Sequence, residues 1–194
     1  MPPDNLHMTA LEVTHSKAMP EIEDLVQLMG ERPIEAITDY TYTHRARLFE
    51  PLLSFDTAAI ALSFLPAAGE ALKNGRESKA DEYTYHHLRR DLYDSCQNTG
   101  IDVGSRYVVP SAHLTIARFV TQDVYKEGKV AELVEGFDKI NEDLRSKYWP
   151  EDKGGDQDNK DVVQWVVGEE KGLECRMGRL WYGGGQRVRL GKGS

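Results

Sequence analysis

"SAHLTIARFV", Ser111 to Val120, threads a His-x-Thr triplet through apolar residues, and "DNLHMTALEV", Asp4 to Val13, does the same near the start of the chain. On an extended strand, residues two apart point the same way, roughly 6.5–7 Å apart. His113 and Thr115 therefore share a face, with Leu114 and Ile116 on the other. His7 and Thr9 share a face in the same way, opposite Met8 and Ala10. Six histidines and ten threonines give about 0.3 such triplets by chance, so a lone one carries little weight. Two, each in an apolar stretch followed by an amphipathic helix, amount to a weak internal repeat. The repeat predicts two similar lobes, each contributing one motif strand.

The rest of the chain reads outward from these strands. "SKAMPEIEDLVQLMGE" sets Ile22, Leu25, Val26 and Met29 on one helical face, with Pro20 at its start and Gly30 as its stop. Arg32 to Ser54 is ambiguous, with a first half compatible with helix and a second half extended around Pro51. "TAAIALSFLP" is a buried strand closed by Pro66, and "AAGEALKNGRESKADE" is a polar surface loop with one helical turn. "DEYTYHHLRRDLYDSCQNTG" spaces Leu88, Leu92 and Cys96 by fours and stops at Gly100. Pro110 marks a bulge or edge just before the second motif. A long amphipathic helix runs from about Tyr125 to Tyr148, "PEDKGGDQDNKD" is a loop, and the glycine-punctuated remainder forms antiparallel hairpins. Without a regular βαβ rhythm, the expected class is α+β with antiparallel sheets. No linker divides the 194 residues, so the expected unit is one bilobal domain spanning the whole chain.

Composition narrows the partners. The formal charge of −8 opposes broad adhesion to duplex DNA or an anionic membrane, which want a basic face. A local pocket for one phosphate remains compatible. "AAIALSFLPAA" is too short and interrupted to span a bilayer. Two cysteines, Cys96 and Cys175, make no disulfide framework and suit reduced thiols. The expected location is cytoplasmic or nuclear.

Brought together in one cleft, two imidazoles and two hydroxyls suit a phosphodiester. One neutral imidazole takes a proton from the attacking hydroxyl or water, and one imidazolium protonates the departing oxygen. The Thr9 and Thr115 hydroxyls donate to the non-bridging oxygens. Histidine suits both roles because its ordinary pKa lies near neutrality. This chemistry requires no metal and no cofactor.

"PPDNLHMTALEV" and "VPSAHLTIARF" resemble the paired motifs of the 2H phosphoesterase superfamily, which includes RNA 2′,5′-ligase-like proteins and cyclic nucleotide phosphodiesterases. The resemblance implies a bilobal α+β fold with pseudo-twofold symmetry and helices on the outer faces. It implies metal-independent hydrolysis of 2′,3′-cyclic phosphates on nucleotides or RNA ends, with RNA 2′,5′-ligation or nucleotide binding without turnover as alternatives. It assigns His7, Thr9, His113 and Thr115 as the catalytic quartet. It also implies a strand and helix upstream of the first motif, so the expectation is a domain that lacks them or a lobe completed differently.

Two further stretches carry candidate ligand contacts. In "LWYGGG" Trp181 and Tyr182 alternate faces, so one is core and the other exposed or cleft-facing, and a cleft-facing aromatic is able to stack on a base. "YTYHHLRR" offers His86, Arg89 and Arg90 either to an RNA end or to a solvated helix face. His86 and His87 diverge on a helix and complete no tetrahedral zinc set.

Overall fold

The computed structural model describes residues 1–70, 77–105, 111–126, 128–149, 163–180 and 184–193. These form a mixed α/β structure around a curled antiparallel sheet, a half-barrel. Four strands build it: β1 (Ala46–Phe55), β2 (Ala59–Pro66), β3 (Ala112–Arg118) and β4 (Gln164–Val167), in the order β3-β2-β1-β4. A separate two-stranded sheet pairs β5 (Glu174–Met177) with β6 (Gln186–Leu190). The helices are α1 (Met19–Met29), α2 (Glu31–Thr38), α3 (Tyr85–Gln97), the short α4 (Asp123–Lys126) and α5 (Val130–Tyr148).

Local chemistry explains most boundaries. Pro20 sits in the first turn of α1, and Glu21 reaches back to accept the Ala18 N–H at 2.8 Å. Gly30 stops the helix at φ 77°, a conformation that favours glycine. β1 passes through Pro51, which has no N–H to give a ladder, and its register with β2 shifts between Phe49 and Leu52. The β1–β2 turn is fixed by Asp56, whose carboxylate accepts the N–H groups of Ala58 and Ala59, each at 2.7 Å. Gly191 follows β6 so closely against the Thr38 carbonyl that any Cβ there would collide with it.

The core lies on one face of the sheet. Ala46 and Leu48 on β1, Phe64 on β2, Ala112 on β3 and Val167 on β4 pack against Tyr85, Leu88 and Leu92 of α3. Met8 and Leu114, the residues inside the two triplets, pack against the same cluster. Fully burying one such aliphatic side chain stabilises the fold by about 1.5–3 kcal/mol. Helix α5 packs against β1. Beyond Phe49, where β4 stops pairing, Asn141 takes the place of a neighbouring strand. Its amide oxygen accepts the Leu53 N–H at 2.6 Å, and its amide nitrogen donates to the Leu53 carbonyl at 3.0 Å. Trp149 donates to the Pro51 carbonyl at 2.9 Å, and Phe137 packs on Phe55.

On the opposite face, at the β4 end, Arg47 is 1 % exposed and pairs with the equally buried Asp81, Nη2 to Oδ2 at 2.6 Å. The same guanidinium donates to the Glu70 carbonyl and to Gln164. It ties Glu70 and Asp81 to the sheet.

Three sequence expectations change. Asn5 to Val13 is not a strand: a 3-10 turn covers Pro3–Asn5, and Met8 alone forms a β-bridge, to Leu114. The helix expected from Tyr125 is divided, with Gly128 at φ 70° ahead of α5. The described residues display one four-stranded sheet and one small hairpin, and bilobal pseudo-symmetry is not seen in them. Pro110 and the loop from Pro150 to Asp161 lie outside the described residues.

Candidate active site

Strand β3 fixes the second motif. Ala112 and Leu114 face the core, so the pleat turns His113 and Thr115 to the opposite face of the sheet. The first motif joins it through the antiparallel Met8–Leu114 bridge on the outer side of β3. The antiparallel sense runs the chain after Met8 toward His113 and the chain before it toward Thr115. His113 also feels the charge of His7. His7 is exposed, while Thr9, His113 and Thr115 are half-buried.

The two imidazoles are held alike. His7 Nδ1 lies 2.9 Å from the Asn5 carbonyl, which can only accept, so Nδ1 carries a proton and Nε2 is turned to other use. His113 Nδ1 lies 2.9 Å from the Ser111 hydroxyl and is also hydrogen-bonded by the Ser111 backbone. In each motif, then, the ring is oriented by the residue two places upstream.

Burial pushes the His113 pKa below the ordinary 6.5, and the charges of Arg89 and His7 push the same way. The Ser111 hydrogen bond and the Asp56 carboxylate oppose them without reversing the direction. His113 is thus biased toward the neutral imidazole, the form that accepts a proton.

Arg89, which the sequence offered to an RNA end or to a solvated face, belongs to this environment. It is 9 % exposed and lies on the sheet-facing stripe of α3, one turn after Tyr85, to which it hydrogen-bonds. The Tyr85 hydroxyl in turn points at the Thr9 carbonyl, 3.5 Å away. The "YTYHHLRR" stretch is therefore not a solvated face throughout. Arg89 turns inward, Arg90 pairs with the adjacent Asp91 at 2.7 Å, and His87 joins Thr84 in capping the helix. His86 stays exposed. Asp91 also accepts the hydroxyls of Tyr40 and Tyr83, at 3.0 and 2.9 Å, which ties the turn after α2 to α3.

Trp181 and Tyr182, the candidate stacking aromatics, lie outside the described residues. Among the described residues no group of three His, Cys, Asp or Glu side chains is arranged to hold a metal ion. No helix among them is long and apolar enough to cross a membrane. A pocket between α2 and α3, lined by Ile37, Tyr40, Ser95 and Thr99 among others, contains none of the motif residues.

No family model, no curated protein and no solved structure matches the chain.

Proposed function

We propose that this protein is a metal-independent phosphodiesterase of the 2H phosphoesterase type, hydrolysing 2′,3′-cyclic phosphates of nucleotides or RNA ends. The observation that carries the reading is the Met8–Leu114 bridge, which brings the two His-x-Thr triplets alongside each other in antiparallel sense. A binding surface needs no second proton-transfer group, whereas in-line displacement at phosphorus uses one base and one acid. In this reading the paired motifs are the remnant of two similar lobes related by a pseudo-twofold axis.

His113 is the base in the ring-opening direction, since its surroundings favour the neutral ring. Its Nε2 takes a proton from water as the water oxygen bonds to phosphorus. The ester bond to one ribose oxygen breaks, and His7 Nε2–H protonates that oxygen. The products are a phosphomonoester and a free ribose hydroxyl, with the proton returned to His7 through solvent. Thr9 and Thr115 donate to the non-bridging oxygens, where the negative charge sits throughout. The acidic net charge favours short substrates over long RNA.

The test is to incubate the purified protein with the four nucleoside 2′,3′-cyclic phosphates in EDTA and resolve the products. Conversion to a phosphomonoester supports the reading, and tight nucleotide binding without turnover overturns it in favour of a binding module.

A further inference from the structure

The side of the sheet that carries the motif residues extends past β3. Ser63 stands directly opposite His113 in the β2–β3 register, and Ala61 stands opposite Thr115. Directly opposed residues put their side chains on the same face with Cβ atoms about 4.5–5.5 Å apart. Ser63 is therefore the next polar side chain inward from His113. One strand further, on β1, the Ser54 hydroxyl lies 2.6 Å from that of Ser63. Both serines are half-buried. A polar row runs across three strands from His113 to Ser63 and Ser54, beside the methyl floor of Ala61.

We infer that the Ser54–Ser63 hydroxyl pair is a further substrate-binding subsite, which takes a hydroxyl of the substrate's sugar while the phosphate rests on the two motifs. The inference rests on the phosphodiesterase reading and adds the direction in which the substrate lies, inward over β2 rather than outward past the first motif. The chemistry of the pair selects its ligand. One hydroxyl donates to the other, so the accepting hydroxyl keeps its own proton to give, and both oxygens retain lone pairs. Such a pair gives and accepts at once, which matches an alcohol. A second phosphate would call for a cation, and the nearest ionic group along this hairpin is the Asp56 carboxylate, two residues after Ser54 and fixed on the turn. Ala61 leaves space for the pentose ring beside Thr115, where a larger side chain would fill the floor.

Calorimetric titration with uridine 3′-monophosphate and, separately, with inorganic phosphate tests this without needing turnover. Ser63→Ala and Ser54→Ala should each weaken nucleotide binding by about 2- to 12-fold, the worth of one neutral hydrogen bond. The double variant should lose little more than either single, because the two hydroxyls act as a unit. Phosphate affinity should not change, and Ser63→Thr, which keeps a hydroxyl on a residue suited to strands, should restore nucleotide binding. Equal nucleotide affinity in wild type and Ser63→Ala would overturn the subsite, as would a parallel loss of phosphate binding. A wild-type protein that binds phosphate but gains nothing from the nucleoside would overturn the subsite while leaving the phosphate site standing. Binding of neither ligand would overturn the phosphodiesterase reading and the subsite with it.

Discussion

Met8 pairs with Leu114 in a single antiparallel bridge, and this contact brings the two motifs side by side although they are far apart in sequence. Both bridge residues pack against the core, and the pleat of β3 turns His113 and Thr115 the other way. If this arrangement carries proton transfer, His113→Ala and His7→Ala should each lower kcat/KM on a 2′,3′-cyclic nucleotide by about 10²–10⁴-fold. Thermal melting of both variants should stay close to wild type, because neither ring lies in the core. Wild-type rates in either variant would move the chemistry elsewhere.

The His113 environment sets a pH dependence. Its pKa lies below 6.5, chiefly through burial, so the neutral base persists into mildly acidic solution and the acid limb of kcat/KM should fall below pH 6.5. Arg89 contributes to that depression by opposing a second positive charge. Removing the charge in Arg89→Gln should raise the His113 pKa, whereas Arg89→Lys should hold it down. An NMR titration of the His113 ring reads this directly, and an identical midpoint in Arg89→Gln would exclude the coupling.

The buried Arg47–Asp81 pair should dominate the response of the fold to single substitutions. Arg47→Met leaves Asp81 without its ionic partner in a site closed to water, at a cost of about 3–5 kcal/mol. Arg47→Met combined with Asp81→Leu should recover a large part of that loss, because no lone charge is then left inside. Urea unfolding gives both values. A single variant within about 0.5 kcal/mol of wild type would show that the pair is not closed off.

Asp39 links the turn after α2 to β6 and supplies a separate pH signature. Arg189 donates to both its carboxylate oxygens, at 2.7 and 3.3 Å, and lowers its pKa from 3.8 to about 2. A carboxylate depressed on folding adds stability above its unfolded value, and that stability is lost as pH falls from about 4 to about 2. Asp39→Asn should therefore cost about 1 kcal/mol at neutral pH after allowance for solvent screening, with the gap to wild type closing near pH 2. A gap independent of pH would assign the loss to packing instead.

Periodicity made the helices legible. Ile22, Leu25, Val26 and Met29 announced α1, and the spacing of Leu88, Leu92 and Cys96 announced α3, because a helix face turned toward its neighbours must repeat every three or four residues. The strand expected from Asn5 to Val13 failed for the complementary reason. A strand exists only through its partner, and this segment meets β3 at Met8 alone. Polarity misled at Asp81, set in a stretch that reads as surface loop, because nothing local reveals that Arg47 waits inside. It misled at Arg89 as well, where one cation occupies a position in an otherwise apolar stripe. Ser63 was invisible for a different reason: its place beside His113 depends on the β2–β3 register, which no short motif records.

The central claim is that the two motifs act together on one phosphorus atom. Following a nucleoside 2′,3′-cyclic phosphate by ³¹P NMR in EDTA, with wild type, His7→Ala and His113→Ala in parallel, tests it most directly. The account expects the cyclic phosphate signal to be replaced by that of a phosphomonoester with wild type, and to persist with either variant over the same interval. Turnover that requires an added metal, or that survives the loss of either histidine, would contradict it.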